Sequence, residues 1–210
     1  MYNARTARLV DLIQRCLRHQ IVTASVLRAP DIQLLPEYLD ALRKGWTPES
    51  DHDSMRAQRL IERVESAPET FIASLSNPTA QGAPIVLDSG AAVPRLATLR
   101  FWIFDGTYCG DLNLRWQLGT SELPEYCDGH VGYAVVPWKR RRGLATAALS
   151  ELSAKAPAFG LQWLDIAMSA ENLASRKVAV AAGAKLCGEY VATEQGGVHA
   201  CRYRIACTDA

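Results

Sequence analysis

The chain has 210 residues, 49% of them hydrophobic and 21% charged, with a formal net charge of +1. That length suits one domain with an extension and is enough to bury a core. Near-zero charge argues against a general nucleic-acid coat or an acidic-lipid binder, and no run of about 18 apolar residues is present to span a bilayer.

Leu9, Leu12, Ile13, Cys16 and Leu17 recur at helical spacing, so residues 1–20 read as an amphipathic helical extension. Asp11, Arg15 and Arg18 interrupt any secretory apolar stretch. Arg5, Arg8, Arg15 and Arg18 also suit a mitochondrial presequence, but a docked helix accounts for them more simply, and a cytoplasmic protein is expected. Such a helix can pack on the domain or on a second subunit, which is compatible with a homodimer. Residues 21–27 then read as a β-branched strand. Pro30-Asp31 opens a helix to about Lys44, stopped by Gly45, and a further helix runs from about Asp53 to Ser66. Residues 71–75 read as a short strand, 77–82 as a loop and 85–93 as a small hairpin. Residues 98–104 and 108–116 flank Asp105-Gly106, the strongest hairpin signal in the chain.

After a loop containing Pro124 come a strand at about 130–136, an Ala-rich helix and an apolar strand at about 162–168. A helix over 172–182 ends at Gly183, and a last hairpin joins 189–193 to 198–205 around Gly196-Gly197. This order is mixed α/β rather than doubly wound. Six cysteines (Cys16, Cys109, Cys127, Cys187, Cys201 and Cys207) are scattered, with no C-x-x-C pair and no histidine at zinc-finger spacing. Free, mostly buried thiols are expected, and no metal site.

The stretch from Val131 to Thr146 carries the most chemistry. An apolar strand, a turn at Pro137, the basic run Lys139-Arg140-Arg141-Arg142 and Gly143 lead into a helix. A helix start offers unpaired N–H groups and the positive end of its dipole. Three arginines there, with a glycine permitting close backbone approach, make a site for a phosphate or pyrophosphate.

Arg140-x-x-Gly143-x-Ala145 resembles the acetyl-CoA signature of the GNAT N-acetyltransferases, written Q/R-x-x-G-x-G/A. A second segment, Asn172-Leu173-Ala174-Ser175-Arg176-Lys177-Val178 followed by Ala182-Gly183-Ala184, is similar to the N-x-A-S-x-x-V and G-A segment after that family's fifth strand. The run 99–106 (Leu-Arg-Phe-Trp-Ile-Phe-Asp-Gly) and the run 129–133 (Gly-His-Val-Gly-Tyr) resemble a bacterial subgroup of predicted acetyltransferases. The resemblance covers roughly residues 21–205, within a domain of 21–207. It implies a six- or seven-stranded mixed sheet, flanked by helices and splayed between its fourth and fifth strands, here about 130–136 and 162–168. It also implies acetyl-CoA as donor and an amine of a small molecule or protein as acceptor.

By the same resemblance, the pantetheine arm pairs with backbone near Ala134, Val135 and Val136. The pyrophosphate sits on the amides of Arg141, Arg142, Gly143, Leu144, Ala145 and Thr146, with Arg140 and Arg142 adding charge. Asn172 touches the pantetheine or caps its helix, and Ser175 lies near the thioester. Amine attack needs a neutral amine, an oxyanion donor such as an N–H near Val135, and a proton for the departing thiolate. The family's usual tyrosine position holds Ala179, and the glutamate used as base by some members maps near Ala167. His130 on the fourth strand is the leading substitute base, against a structural histidine. Tyr133 offers a phenol, against a packed core tyrosine. Glu122, Glu125 and Asp128 suit an acceptor wall or an ordinary surface, and Tyr190 and His199 suit its lining. Trp102, Trp116 and Trp163 fall on strands and read as core, whereas Trp138, after Pro137 in the loop, suits a place beside the cofactor or a cover for the helix start. Two other readings remain open from the residues: a non-catalytic acyl-CoA-binding domain, and an RNA binder using 139–142. Near-zero net charge and absent nucleic-acid motifs count against the second.

Overall fold

A computed structural model of the chain describes residues 25–49, 53–192 and 197–207. The amphipathic stretch at 1–20, the start of the 21–27 strand and Gly196 lie outside the described residues. After the short strand β1 (Leu27–Arg28), the chain makes one 3-10 turn and enters α1 (Leu35–Arg43). That helix begins later than expected because the Asp31 carboxylate accepts from the Gln33 N–H at 2.8 Å, holding a tighter turn first. Its buried residues, Leu35, Tyr38, Ala41 and Leu42, form one stripe. Asp53 caps α2 (Ser54–Ser66) through the Arg56 N–H at 2.8 Å.

The strand expected over 71–75 is instead the end of a helix, α3 (Pro68–Ser74). Pro68 presets the first helical turn, and Phe71 stacks on Tyr38 with ring centroids 5.7 Å apart. Tertiary packing therefore overrides the β propensity of Thr70, Phe71 and Ile72.

A small hairpin of β2 (Ile85–Val86) and β3 (Ala92–Val93) follows. Next, β4 (Ala97–Phe104) and β5 (Tyr108–Trp116) pair antiparallel across Asp105-Gly106, where Gly106 takes φ +104°. β6 (Val131–Val135) completes a sheet of order β1-β4-β5-β6. α4 (Leu144–Lys155), β7 (Trp163–Ser169) and α5 (Leu173–Ala181) lead to the hairpin β8 (Lys185–Ala192) and β9 (Val198–Ala206), giving a second sheet of order β7-β9-β8. β8 starts earlier than expected; a register shift between Leu186 and Gly188 breaks the two-residue alternation that a sequence pattern needs.

Each face of the first sheet has its own core. Leu99, Phe101, Leu112 and Leu114 pack with Ala148, Leu149 and Leu152 of α4. Trp102, Phe104 and Tyr108 face Tyr38, Trp46 and Phe71 on the opposite side. Trp102 is fully buried and stacks on Tyr38 at 5.1 Å, so Trp102→Ala costs on the order of 3–5 kcal/mol.

β6 and β7 meet only at a vertex. The His130 N–H donates to the Asp165 carbonyl at 2.7 Å, and the Asp165 N–H donates back to His130 Nδ1 at 2.9 Å. A Cβ on Gly129 would lie 2.9 Å from the Ala167 nitrogen, so the approach requires glycine. Beyond this point no ladder joins the two strands among the described residues, and the sheet opens.

Candidate active site

A cleft of about 1150 Å³ fills the opening. Tyr133, Ala134 and Val135 of β6 form its floor. Arg115 N–H bonds the His130 carbonyl, and Val136 N–H bonds the Cys109 carbonyl at 2.9 Å. Alternation between them turns the backbone groups of Gly132 and Ala134 toward β5, and those of Val131, Tyr133 and Val135 toward the gap. Two expectations change accordingly. Val136 is fully buried and absent from the cleft wall, its N–H spent on β5. Ala134 contributes surface, while the open backbone groups are those of Tyr133 and the N–H of Val135.

The far wall is the basic loop and the start of α4: Arg140, Arg141, Gly143, Leu144, Ala145 and Thr146. Gly143 caps the helix at φ +75° with no side-chain hydrogen bond, leaving the first-turn N–H groups uncapped. Arg141 also takes a left-handed φ of +61°, a conformation costly for a side-chain-bearing residue. Arg140 Nε donates to the Val135 carbonyl at 2.9 Å, which sets its guanidinium across the cleft mouth. Lys139 also borders the cleft, but its amine is held by Asp105 at 2.5 Å, and this hydrogen bond holds the Asp105 carboxyl down at about 2. Arg142 also departs from expectation, since it is not on the wall and its guanidinium lies 3.9 Å from Asp105.

Asn172, Ser175, Lys177 and Val178 close the third side. Asn172 Oδ1 accepts from the Ser175 N–H at 3.0 Å, so the side chain caps α5 while bordering the cleft. Tyr133 spans the gap, its hydroxyl donating to the Ser175 carbonyl at 3.3 Å. Burial pushes its phenol above the usual value, which keeps the proton on oxygen. No carboxylate stands on the cleft wall among the described residues, and four cations do: Lys139, Arg140, Arg141 and Lys177. Uncapped amides, guanidinium groups and an apolar floor fit a diphosphate carrying a pantetheine-like arm.

The reading of His130 as base is corrected. Its side chain has no solvent exposure, its Nδ1 is engaged by the Asp165 N–H, and it borders neither cavity. Burial pushes its pKa down to about 4, outweighing the pull of Asp165. His130 is a positioning residue for the vertex. Behind it, Asp165 holds Arg204 through a fork of 2.7 and 2.8 Å, and Arg204 stacks over Trp163 at 4.4 Å.

A smaller cavity of about 370 Å³ lies at the vertex, bordered by Asp88, Arg115, Asp128, Gly129, Val131 and Ala167 among others. Arg115 has no short-range sequence signal and was not anticipated; its position at the end of β5 is legible only once β5 and β6 are paired. Asp128 belongs to this wall, whereas Glu122 and Glu125 are exposed and border neither cavity. Tyr190 packs under Arg202 at 5.2 Å, and His199 is exposed. Trp102 and Trp116 are core, and Trp138 lies beneath Lys44 at 5.0 Å rather than on the cleft.

A sequence profile described as "Acetyltransferase (GNAT) domain" matches residues 46–185. The chain belongs to the GNAT acetyltransferases. As a family member it is an acyltransferase that uses acetyl-CoA as donor and an amine as acceptor. Among curated proteins, none matches the sequence significantly. Solved structures share the GNAT fold at low identity. An acetyltransferase that modifies the N-terminal serine of ribosomal protein L7/L12 from Salmonella typhimurium is 17% identical, with a TM-score of 0.53, covering 86% of this chain and 93% of that one. A ribosomal-protein-S5-alanine acetyltransferase from Vibrio fischeri is 15% identical, with a TM-score of 0.53 and coverages of 87% and 93%. The microcin C7 self-immunity acetyltransferase, solved with acetyl-CoA and AMP, is 12% identical with a TM-score of 0.50, covering 86% and 91%. No helix among the described residues is long and apolar enough to cross a membrane.

Proposed function

We propose that this GNAT acetyltransferase binds acetyl-CoA in the larger cleft and an amine in the smaller vertex cavity, with β6 as the shared wall. The observation that carries this reading is the adjacency of the two cavities. Val131 borders the smaller and Tyr133 the larger, two residues apart, which is about 7 Å along a strand. The transferase domain is read as 21–207 with 1–20 as an extension, and the profile match over 46–185 falls inside it.

Acetyl-CoA supplies an activated acyl group and a thiolate leaving group. Arg140, Arg141 and the N–H groups of Gly143 to Thr146 hold its diphosphate. Tyr133 and Val135 offer backbone N–H groups to the pantetheine arm, in the manner of an added strand, and one of them faces the thioester oxygen as it gains charge. Asp88 and Asp128 are the carboxylates bordering the acceptor cavity and are the candidates to take the ammonium proton, directly or through water. Tyr133 keeps its proton at the phenol oxygen and is placed to give it to the departing sulfur. One fold neighbour modifies the N-terminal serine of a ribosomal protein and another is a ribosomal-protein-S5-alanine acetyltransferase, so the acceptor range to test includes polypeptide N-termini beside small amines.

Thiol release from acetyl-CoA, measured over a panel of amines and N-terminal peptides, tests the reading. Amine-dependent release is expected, and none above the hydrolysis background with any acceptor refutes it. Tyr133→Phe keeps the ring and removes the proton. It is expected to lower kcat about 10-fold or more with the acetyl-CoA KM held; an unchanged kcat removes the phenol from the chemistry.

A further inference from the structure

We propose that Arg115 is an acceptor-recognition residue whose guanidinium receives a carboxylate borne by the amine substrate. The inference rests on the vertex cavity being the acceptor site. Arg115 is the penultimate residue of β5, beside the vertex, its backbone N–H bonded to the His130 carbonyl at 2.8 Å. Its Nη2 lies 3.3 Å from the point a Cβ on Gly132 would occupy, so the guanidinium is laid across β6 where the missing side chain leaves room. From there it borders the 370 Å³ cavity, which Ala167 of β7 also lines.

The other arginines of this sheet region have partners. Arg100 holds Asp111 at 2.5 Å, Arg204 holds Asp165 at 2.7 Å, and Arg202 lies 3.9 Å from Asp128 and over the Tyr190 ring. Arg115 pairs with no carboxylate among the described residues, and its Nε is buried without a hydrogen-bond partner. A partly buried guanidinium left unpaired is costly, and such groups call for an explanation in function. Its planar fork matches a carboxylate or a phosphate. Asp88 and Asp128 on the same wall decide between them: a dianionic phosphate meets two negative charges, whereas an ammonium-carboxylate pair finds a partner for each sign. The cavity is near the small end for ligand sites and suits a group the size of an amino acid.

The carboxylate can come from a free amino acid or from an acidic residue near a polypeptide N-terminus, and paired substrates separate the two sources. The first arm compares L-amino acids with their α-amides. The second compares peptides bearing Asp or Glu at the second position with their Asn or Gln counterparts. In the wild type the carboxylate member of one series is expected to have at least about 10-fold higher kcat/KM. Arg115→Gln is expected to abolish that preference by raising the acceptor KM without moving the acetyl-CoA KM, and Arg115→Lys to restore part of it. Equal kcat/KM for both members in both series overturns the proposal. A readout independent of turnover is the ¹⁵N-¹H signal of the Arg115 Nε–H in the wild-type protein. It should shift on titration with the carboxylate amine and stay fixed with the amide; no response to either also overturns the proposal. A selective shift without any CoA release would instead count against the transfer reading alone.

Discussion

The vertex gives a quantitative test through His130→Asn, whose amide oxygen can stand near the Nδ1 position and accept from the Asp165 N–H. At pH 7 the substitution is expected to cost about 1–3 kcal/mol, from lost ring packing and imperfect replacement of that acceptor. The cost should then change with pH in a defined direction. Burial holds the folded His130 pKa near 4, against an unfolded value of 6.5. A histidine with a depressed folded pKa binds fewer protons folded than unfolded. Its contribution is therefore full above the unfolded value and drains as pH falls toward the folded one. Between pH 7 and pH 4.5 the wild type should lose about 2 kcal/mol that the asparagine variant keeps, so the gap between them closes or reverses. Urea unfolding of both proteins at the two pH values measures this, and taking the difference cancels the other titrating groups. A gap unchanged to within about 0.5 kcal/mol would refute the argument that His130 is buried and neutral in the folded state.

Two further outcomes follow from the cleft and the vertex. Replacing Arg140 and Arg141 together by alanine removes both arginines of the loop wall, leaving Lys139 on Asp105, and should raise the acetyl-CoA KM about 10- to 100-fold, with kcat within about 2-fold; steady-state kinetics at low and high salt reads this, and the deficit should shrink as salt rises. Gly129→Ala puts a methyl 2.9 Å from the Ala167 nitrogen, a backbone atom that cannot swing away. It should cost about 1–3 kcal/mol, or roughly 3–10 °C in Tm, and calorimetry showing no change would mean the strands are not held that closely.

Much of this protein is written locally. Asp105-Gly106 specifies its hairpin because a glycine at positive φ sets the turn whatever surrounds it, and β4 and β5 pair across it. Gly143 at the head of an Ala-rich helix exposes first-turn amides beside two arginines of the cleft wall, an arrangement fixed by neighbours only a few residues away. Asn172 caps α5 for the same reason. Propensity fails where packing outweighs it: Thr70, Phe71 and Ile72 join a helix because Pro68 starts one and Tyr38 receives Phe71.

The division of labour at the site belongs to the tertiary structure. A histidine two residues before an apolar glycine-tyrosine strand reads equally as a base or as a buried prop. Only the meeting of β6 with β7 puts its Nδ1 on the Asp165 amide and shuts out water. Likewise, the sequence names 134–136 as a strand edge without saying which backbone groups are open; that depends on β5 taking the Val136 N–H and leaving the Val135 side to the gap. Arg115 is the extreme case, an ordinary arginine in the chain that gains meaning from Gly132 on the next strand and from the carboxylates that do not reach it. Turns and caps depend on atoms a few bonds apart, so a linear pattern carries them. Burial, open strand edges and unpaired charge depend on which distant segments meet, and only the folded chain decides that.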